Sequence, residues 1–324
     1  MSKLTTIKQP ISKEMADFQV FFKSTMKSTT PLLDIITRFI LRTKGKQMRP
    51  MLVFLSAGMH GKINDATHHA AALIELMHTA TLTHDDVVDD SNFRRGFFSI
   101  NALWKNKIAV LIGDYLLARG LLLSVKHQQY HLLEVVSKAV DEMSQGELLQ
   151  IEKARKLNID EAVYFKIIEQ KTAALIAACV KAGAISVNAP ENTVEAMEQF
   201  GLKLGMAFQI KDDLFDYEPN GLTGKPSGND IKEKKMTLPL IHVKNLLSAK
   251  ERRQILRLIK KKRKTKKEVL NLIQLVDKHG GITYARQKME EYKNGAIDIL
   301  KQFPESEYKN SLLEIVEYTV SRKK

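Results

Sequence analysis

No proline interrupts the chain between Pro50 and Pro190, and the glycines of that span are scattered. A backbone so poor in helix breakers can run as long helices, and none of it sustains the apolar–polar alternation of a half-buried strand. Apolar residues recur instead at three- and four-residue steps, as at Ala72, Leu73, Leu76, Met77 and Ala80. The flanks read the same way. Pro31 is preset for a helix start, and the tail from Val269 to Lys324 places Leu312, Leu313, Ile315 and Val316 at helical spacing. The spacing predicts an all-α protein, and 324 residues with 44% apolar content can bury a sizeable core.

One of these helical runs ends in acid: His78-Thr79-Ala80-Thr81-Leu82-Thr83-His84-Asp85-Asp86-Val87-Val88-Asp89-Asp90. On a helix, Asp85 and Asp89 project from one face, with Asp86 about 100° round. Carboxylates crowded in this way repel one another unless a cation sits among them. Hard oxygen ligands suit Mg²⁺, which also takes phosphate oxygens from a substrate. Arg94 and Arg95 follow, and their guanidinium forks match phosphate. An acid-rich helix end is more often a solvated terminus, so a single copy would decide little. A second copy, Asp212-Asp213-Leu214-Phe215-Asp216, stands 127 residues on (212 − 85), again after an apolar run. Two such clusters could line opposite walls of one cavity and clamp a diphosphate through bridging metals. Because that site needs a cluster from each half, one domain over residues 1–324 is expected.

Composition narrows the class further. Cys179 is the only cysteine, so no disulfide framework holds the chain, and its apolar surroundings suit a packing role. Residues 1–10 lack the apolar stretch of a secretory signal, and Ile108 to Val125, interrupted by Asp114 and Arg119, reads as a buried helix. A cytoplasmic protein is expected. The net charge is 51 − 37 = +14, and residues 250–267 hold eleven Lys/Arg against one Glu, a net of +10. That basic segment is either a solvated face or a contact for an anionic membrane. Nucleic acid is disfavoured, because no aromatic residues are interleaved for stacking.

The two DDxxD segments resemble the aspartate-rich motifs of the trans-polyprenyl diphosphate synthases of long-chain, hexaprenyl to octaprenyl type. The resemblance extends over nearly the whole chain and rests on several separated motifs. It implies a single large helical bundle around a deep central cavity, the isoprenoid synthase type. The implied substrates are isopentenyl diphosphate and an allylic prenyl diphosphate, the cofactor Mg²⁺, and the assembly a homodimer. Asp85, Asp86, Asp89, Asp212, Asp213 and Asp216 are then metal ligands. In the family a GKxxRP loop binds isopentenyl diphosphate, and Lys46 and Arg49 match it, with His78 at the same site. Arg94 matches a contact to the allylic diphosphate and Arg95 one to isopentenyl diphosphate. Lys171 and Thr172 match a pair on the allylic diphosphate, Gln209 stands just before the second cluster at a substrate-binding position, and Lys225 and Lys235 match lysines that close over the diphosphate. Phe98 and Ser99 stand where the family usually has Pro and Thr, and Lys234 replaces a common glycine.

Product length should depend on the side chains beneath the first cluster. In the family, bulky aromatics at such positions stop growth; Ala80 and Thr81 are small, so the resemblance implies a product longer than farnesyl, with Met77 and residues of Leu121 to Val125 as a floor. Three rivals remain at this level: a terpene cyclase, a metal-dependent phosphohydrolase using His78, His84 and Asp85, and a basic helical scaffold without catalysis. The last two leave the second aspartate cluster without a role.

Overall fold

The side chains of Asn64, Ser99, Asp160, Ser248 and Thr265 each accept a backbone N–H in the first turn of the helix that follows, and so fix where five helices begin. A computed structural model describes residues 3–43, 45–94, 96–156, 158–218 and 228–322. Among them the chain runs as α1 Lys3–Ile7, a 3₁₀ turn Gln9–Ile11, α2 Ser12–Thr25, α3 Pro31–Arg42, α4 Met48–His60 and α5 Asp65–Val88. A two-residue antiparallel hairpin follows, β1 Phe93–Arg94 with β2 Phe97–Phe98, in which Phe93 pairs with Phe98. Then come α6 Ile100–Lys126, α7 Tyr130–Lys156, α8 Glu161–Ile168, a π-helical turn Glu169–Ala173, α9 Ala174–Ser186 and α10 Glu191–Leu214. The chain ends with α11 Asn229–Lys232, α12 Leu238–Leu246, α13 Ala249–Lys260, α14 Lys266–Lys278, α15 Gly281–Leu300 and α16 Glu307–Ser321. The all-α expectation holds, with Pro31 opening α3 at its first turn.

The chain divides into two compact units. The first comprises Met1–Val140, Ile176–Glu198 and Phe303–Leu312; the second comprises Asp141–Leu175, Gln199–Gln302 and Leu313–Lys324.

In the first unit, α4 and α5 supply the core: Met51 to Leu55, Ala57, Ala70 to Ile74 and Leu76 are each 3% exposed or less. Burying a Leu, Ile or Phe side chain of this kind contributes roughly 1.5–3 kcal/mol. A reciprocal cap starts α5. Asn64 accepts the Thr67 N–H at 3.2 Å, and the Thr67 hydroxyl accepts the Asn64 N–H at 3.3 Å. The same two side chains tie that end to the end of α9, through Asn64 Nδ2 to the Ser186 carbonyl at 3.0 Å and Thr67 Oγ1 to Ser186 Oγ at 2.8 Å. Glycines let α6 lie close on α5. A Cβ on Gly113 would fall 2.0 Å from His84 Nε2, and one on Gly120 would fall 3.1 Å from Leu73 and 3.3 Å from Met77.

Here the structure corrects the sequence reading of Ile108 to Val125 as a buried helix. One side of α6 is left uncovered; Val110, Leu111, Leu121, Leu122 and Val125 are 41–61% exposed. By length and composition α6 is also the one described helix that could cross a membrane. Its apolar content was read correctly, but amphipathic patterning cannot report which side of an all-round apolar helix finds a neighbour.

The second unit gathers around α12, which packs against α8, α13, α14 and α15. Leu238, Leu240, Ile241 and Val243 are fully buried there, joined by Ile210, Ile259 and Val276. A Cβ on Gly281 would fall 2.4 Å from the Pro239 carbonyl, so α15 can start at that depth only with glycine.

Candidate active site

The first aspartate cluster stands where α5 runs out. The Asp89 N–H still reaches the Asp85 carbonyl at 2.8 Å, so the helical register carries through the cluster, and Asp90 then leaves the helix with φ 48°. Asp86 is 4% exposed, and its carbonyl accepts from the Ser91 N–H at 2.9 Å and from Asn101 Nδ2 at 3.1 Å. Asp89 is exposed and Asp85 intermediate. No basic residue occupies the last turn of α5. Carboxylates at the negative end of a helix, without a cation in that turn, form a site that a positive ion would stabilise. His84 is held against α6, its Nε2 3.2 Å from the Val110 carbonyl and 3.5 Å from Asp114.

A cavity of about 100 Å³ opens beside this cluster within the first unit. Its lining includes Gln47, Glu75, His78, Asp86, Phe39 and Phe98. The structure therefore brings His78 and Asp86 to one cavity with Gln47 of the expected isopentenyl diphosphate loop. That loop is shorter than its Gly and Pro suggest, because α4 already begins at Met48 and takes Arg49 and Pro50 into its first turn. Lys46 is exposed and Arg49 half-buried. The Phe98–Ser99 departure keeps the local turn closed. Ser99 Oγ donates to the Ser91 carbonyl at 2.6 Å and caps α6 by accepting the Ala102 N–H at 3.4 Å, while the Phe93 and Phe98 rings lie 4.7 Å apart. Arg95 and Lys225 lie outside the described residues, and of Arg94 the backbone alone is described, in β1.

Beneath the cluster Ala80 is fully buried and Met77 6% exposed, while Thr81 is half-buried with its hydroxyl on the His78 carbonyl at 2.9 Å. Of the run from Leu121 to Val125, only Leu123 and Ser124 are buried. Leu121, Leu122 and Val125 are therefore withdrawn from the expected floor, and Gly120, packed under Leu73 and Met77, stands at that depth instead.

The second cluster closes α10 in the second unit and is far more enclosed. Asp213 and Asp216 are 7% and 5% exposed. Asp213 accepts from the Tyr164 hydroxyl at 2.7 Å and from Gln209 Nε2 at 2.8 Å, and Gln209 Oε1 accepts from the Thr172 hydroxyl at 2.8 Å. A single relay thus joins Thr172, Gln209, Asp213 and Tyr164. Asp216 accepts the Asp230 backbone N–H, and Asp212 pairs with Arg322, whose guanidinium lies over the Phe208 ring at 4.1 Å. Burial, and after it the neighbouring charge of Asp230, pushes the Asp213 carboxyl up to about 7 against the hydrogen bonds from Tyr164 and Gln209.

Lys171 and Thr172 sit in the π-helical turn between α8 and α9. Such turns insert an extra residue and recur at functional sites. Two glycines admit it: a Cβ on Gly146 of α7 would fall 2.9 Å from Gln170 Cβ, and one on Gly205 of α10 would fall 2.4 Å from Ala173 Cα. Lys171 forms an ion pair with Glu147 and donates to Gln150 at 3.4 Å. Lys235 pairs with Glu233 at 2.8 Å, and its N–H reaches the Asp230 carbonyl at 2.8 Å. Lys234 adopts φ 64°, a left-handed conformation that accounts for a glycine being common there in the resembling family.

Sequence reasoning missed Tyr164, Asp230 and Arg322, which reach the second cluster from 49, 14 and 110 residues away in the chain. A lone Tyr or Arg in a helical pattern carries no mark of such a partner. Asp230 had a weak one, in its place just after Gly228 of the Gly/Pro-rich stretch.

No three Asp, Glu, His or Cys side chains among the described residues form a ready-made metal cage. The donor chemistry nonetheless fits a hard divalent ion. Carboxylates close α5 with no basic residue in that helix's own last turn, and at the end of α10 burial, and after it the charge of Asp230, raises the Asp213 carboxyl. A divalent ion would relieve both.

Comparison with known proteins agrees with this geometry. A family model described as polyprenyl synthetase matches residues 30–276. An all-trans-nonaprenyl-diphosphate synthase (geranyl-diphosphate specific) of Rhodobacter capsulatus is 34% identical over 97% of this chain and 96% of its own. An octaprenyl diphosphate synthase of Escherichia coli is 32% identical over 98% of this chain and 99% of its own. A polyprenyl synthase from Caulobacter crescentus, solved with calcium and isoprenyl diphosphate, superposes with a TM-score of 0.90 at 32% identity over 98% of both chains. The chain therefore belongs to the polyprenyl synthetase family. It has the all-α isoprenoid synthase fold and is a prenyltransferase that condenses isopentenyl diphosphate with allylic diphosphates, in a family that uses divalent metal.

Proposed function

We propose that the chain ionises an allylic prenyl diphosphate with the help of Mg²⁺ held by Asp85, Asp86 and Asp89 and by Asp212, Asp213 and Asp216. The observation that carries this reading is the enclosed second cluster, where Asp213 is raised to about 7 and connected through Gln209 to Thr172. When bound, the ions supply positive charge to the leaving diphosphate. Lys171, Lys225, Lys235 and Arg94 add to it as the carbon–oxygen bond breaks. Glu147 holds Lys171 by an ion pair until a diphosphate competes for it. Isopentenyl diphosphate is held by Lys46, Arg49, His78 and Arg95. Its double bond adds to the allylic cation, and loss of a proton, to the departing diphosphate, restores an allylic product.

The product is of hexaprenyl to octaprenyl class. Support comes from the small buried Ala80 beneath the first cluster and from relatives named octaprenyl and nonaprenyl synthases. The assembly is a homodimer, supported by the exposed apolar face of α6. Residues Val110, Leu111, Leu121, Leu122 and Val125 fall within an arc of about 120° on that helix. The working place is the cytoplasm, where a lone buried cysteine suits a reducing compartment, with contact to a membrane surface through residues 250–267.

Incubation with Mg²⁺, farnesyl diphosphate and isopentenyl diphosphate tests the chemistry. Elongated prenyl diphosphate supports it, whereas cyclic hydrocarbon, free phosphate alone or no turnover would each refute it. Ala80→Phe should shorten the product, and unchanged length would remove Ala80 from that role.

A further inference from the structure

Eleven of the 51 basic residues lie between Lys250 and Lys267, and the structure shows which way they are displayed. Ile255 and Ile259 bury one side of α13, at 7% and 0% exposure. Lys250, Arg253, Arg257 and Lys260, all exposed, follow at three- and four-residue steps on the opposite side. Beyond the helix, Lys261, Lys262, Arg263, Lys266 and Lys267 are exposed as well.

Acid does not offset this stripe. Glu251 is engaged in capping α13 with Ser248, and Glu268 in capping α14 with Thr265. Lys261, bonded to Glu268 at 2.7 Å, is the one exposed cation of the segment with an ion pair among the described residues. The nearby helix α15 shows the usual alternative, with Lys288 paired to Glu291 and Lys293 to Glu290. A run of like charges left uncompensated on a helix is unfavourable unless an extended anionic partner lies against it.

Two features select the partner. No Phe, Tyr or Trp stands between Lys244 and Thr283, so the segment offers bases none of the large rings on which they stack. Leucines bracket the segment instead, Leu246 at 61% and Leu270 at 52% exposure, and exposed leucines beside lysines suit the headgroup region of a bilayer. We propose that the basic face of α13 and the loop after it dock on anionic lipid headgroups, and that docking speeds release of the finished product into the bilayer. The release step rests on the long-chain prenyl synthase reading above, since only an apolar product of that length needs a membrane to leave the enzyme.

The test uses the full chain with vesicles of phosphatidylcholine alone or with phosphatidylglycerol. Binding is expected only to the anionic vesicles and should weaken as salt rises. Arg253→Glu/Arg257→Glu/Lys260→Glu should lower the partition coefficient at least about a hundredfold, at roughly fivefold per basic side chain. A second variant, Lys262→Gln/Arg263→Gln/Lys266→Gln, changes the loop and the start of α14 without touching the buried side of α13. Its expected loss is of the same kind. Both variants should add the first isoprene unit to a soluble primer at the wild-type rate, while anionic vesicles speed multiple turnover of the wild type alone. Equal binding by wild type and both variants would overturn docking, as would preference for duplex DNA over vesicles at equal salt. Binding without faster turnover would overturn the release step. A chain that binds vesicles but condenses nothing would leave docking standing and remove the enzymatic reading.

Discussion

Asp213 shows how much one side chain's surroundings ask of it. Its folded pKa of about 7 lies above the ordinary 3.8 because burial and Asp230 disfavour the charge. The stabilisation this gives is complete below pH 3.8, where folded and unfolded chains both carry the proton, and it is lost as pH rises through about 7. In chelator, the wild type should therefore lose thermal stability across that window, whereas Asp213→Asn, which cannot ionise, should lose less. Added Mg²⁺ should restore the wild type above pH 7 and leave the variant little changed. Parallel melting curves for the two proteins at every pH would refute this account. Lys105 carries strain of another kind, in its backbone. At φ 68° and ψ 161° inside α6 it occupies backbone space suited to glycine, at a cost of order 1–3 kcal/mol. Lys105→Gly should raise the denaturation midpoint by roughly 1 kcal/mol of stability, after the larger entropy that glycine loses on folding. An unchanged or lower midpoint at equal m-value would show the strain to be absent.

At the scale of the element, the π-helical turn carrying Lys171 and Thr172 is the feature least visible in advance. Five residues are too few for a period, and the run from Glu161 to Ser186 reads as one continuous helix. The turn is set by close packing at Gly146 and Gly205, and a glycine's reason lies in what approaches it. Gly205→Ala would place a methyl 2.4 Å from the Ala173 Cα, against backbone that cannot yield without moving Thr172. A loss of about 1–3 kcal/mol is expected, with a raised KM for the allylic diphosphate. Melting temperature and initial-rate kinetics measure the two, and a variant unchanged in both would show that the turn tolerates displacement. By contrast, α5 and its acidic end were legible from local spacing, because a helix that packs on its neighbours leaves its period in the sequence.

At the scale of the whole molecule, the exposed side of α6 bears on assembly. Leu121→Asp/Leu122→Asp should convert the expected homodimer to monomer, seen as a halved mass by light scattering. A wild type already monomeric would refute the homodimer, and a variant still dimeric would move the interface elsewhere. The sequence by itself determined the helical class, the two acidic helix ends and the family's motif residues, since these depend on short-range periodicity and residue chemistry. It was less informative about α6, because an apolar face announces that it needs cover without naming what covers it. Only the tertiary structure decided that Asp213 is enclosed by Tyr164 and Gln209, that Arg322 meets Asp212, and that the cations of α13 face away from its buried isoleucines. Burial and partnership between distant residues are properties of packing, and packing is settled by the folded chain acting together.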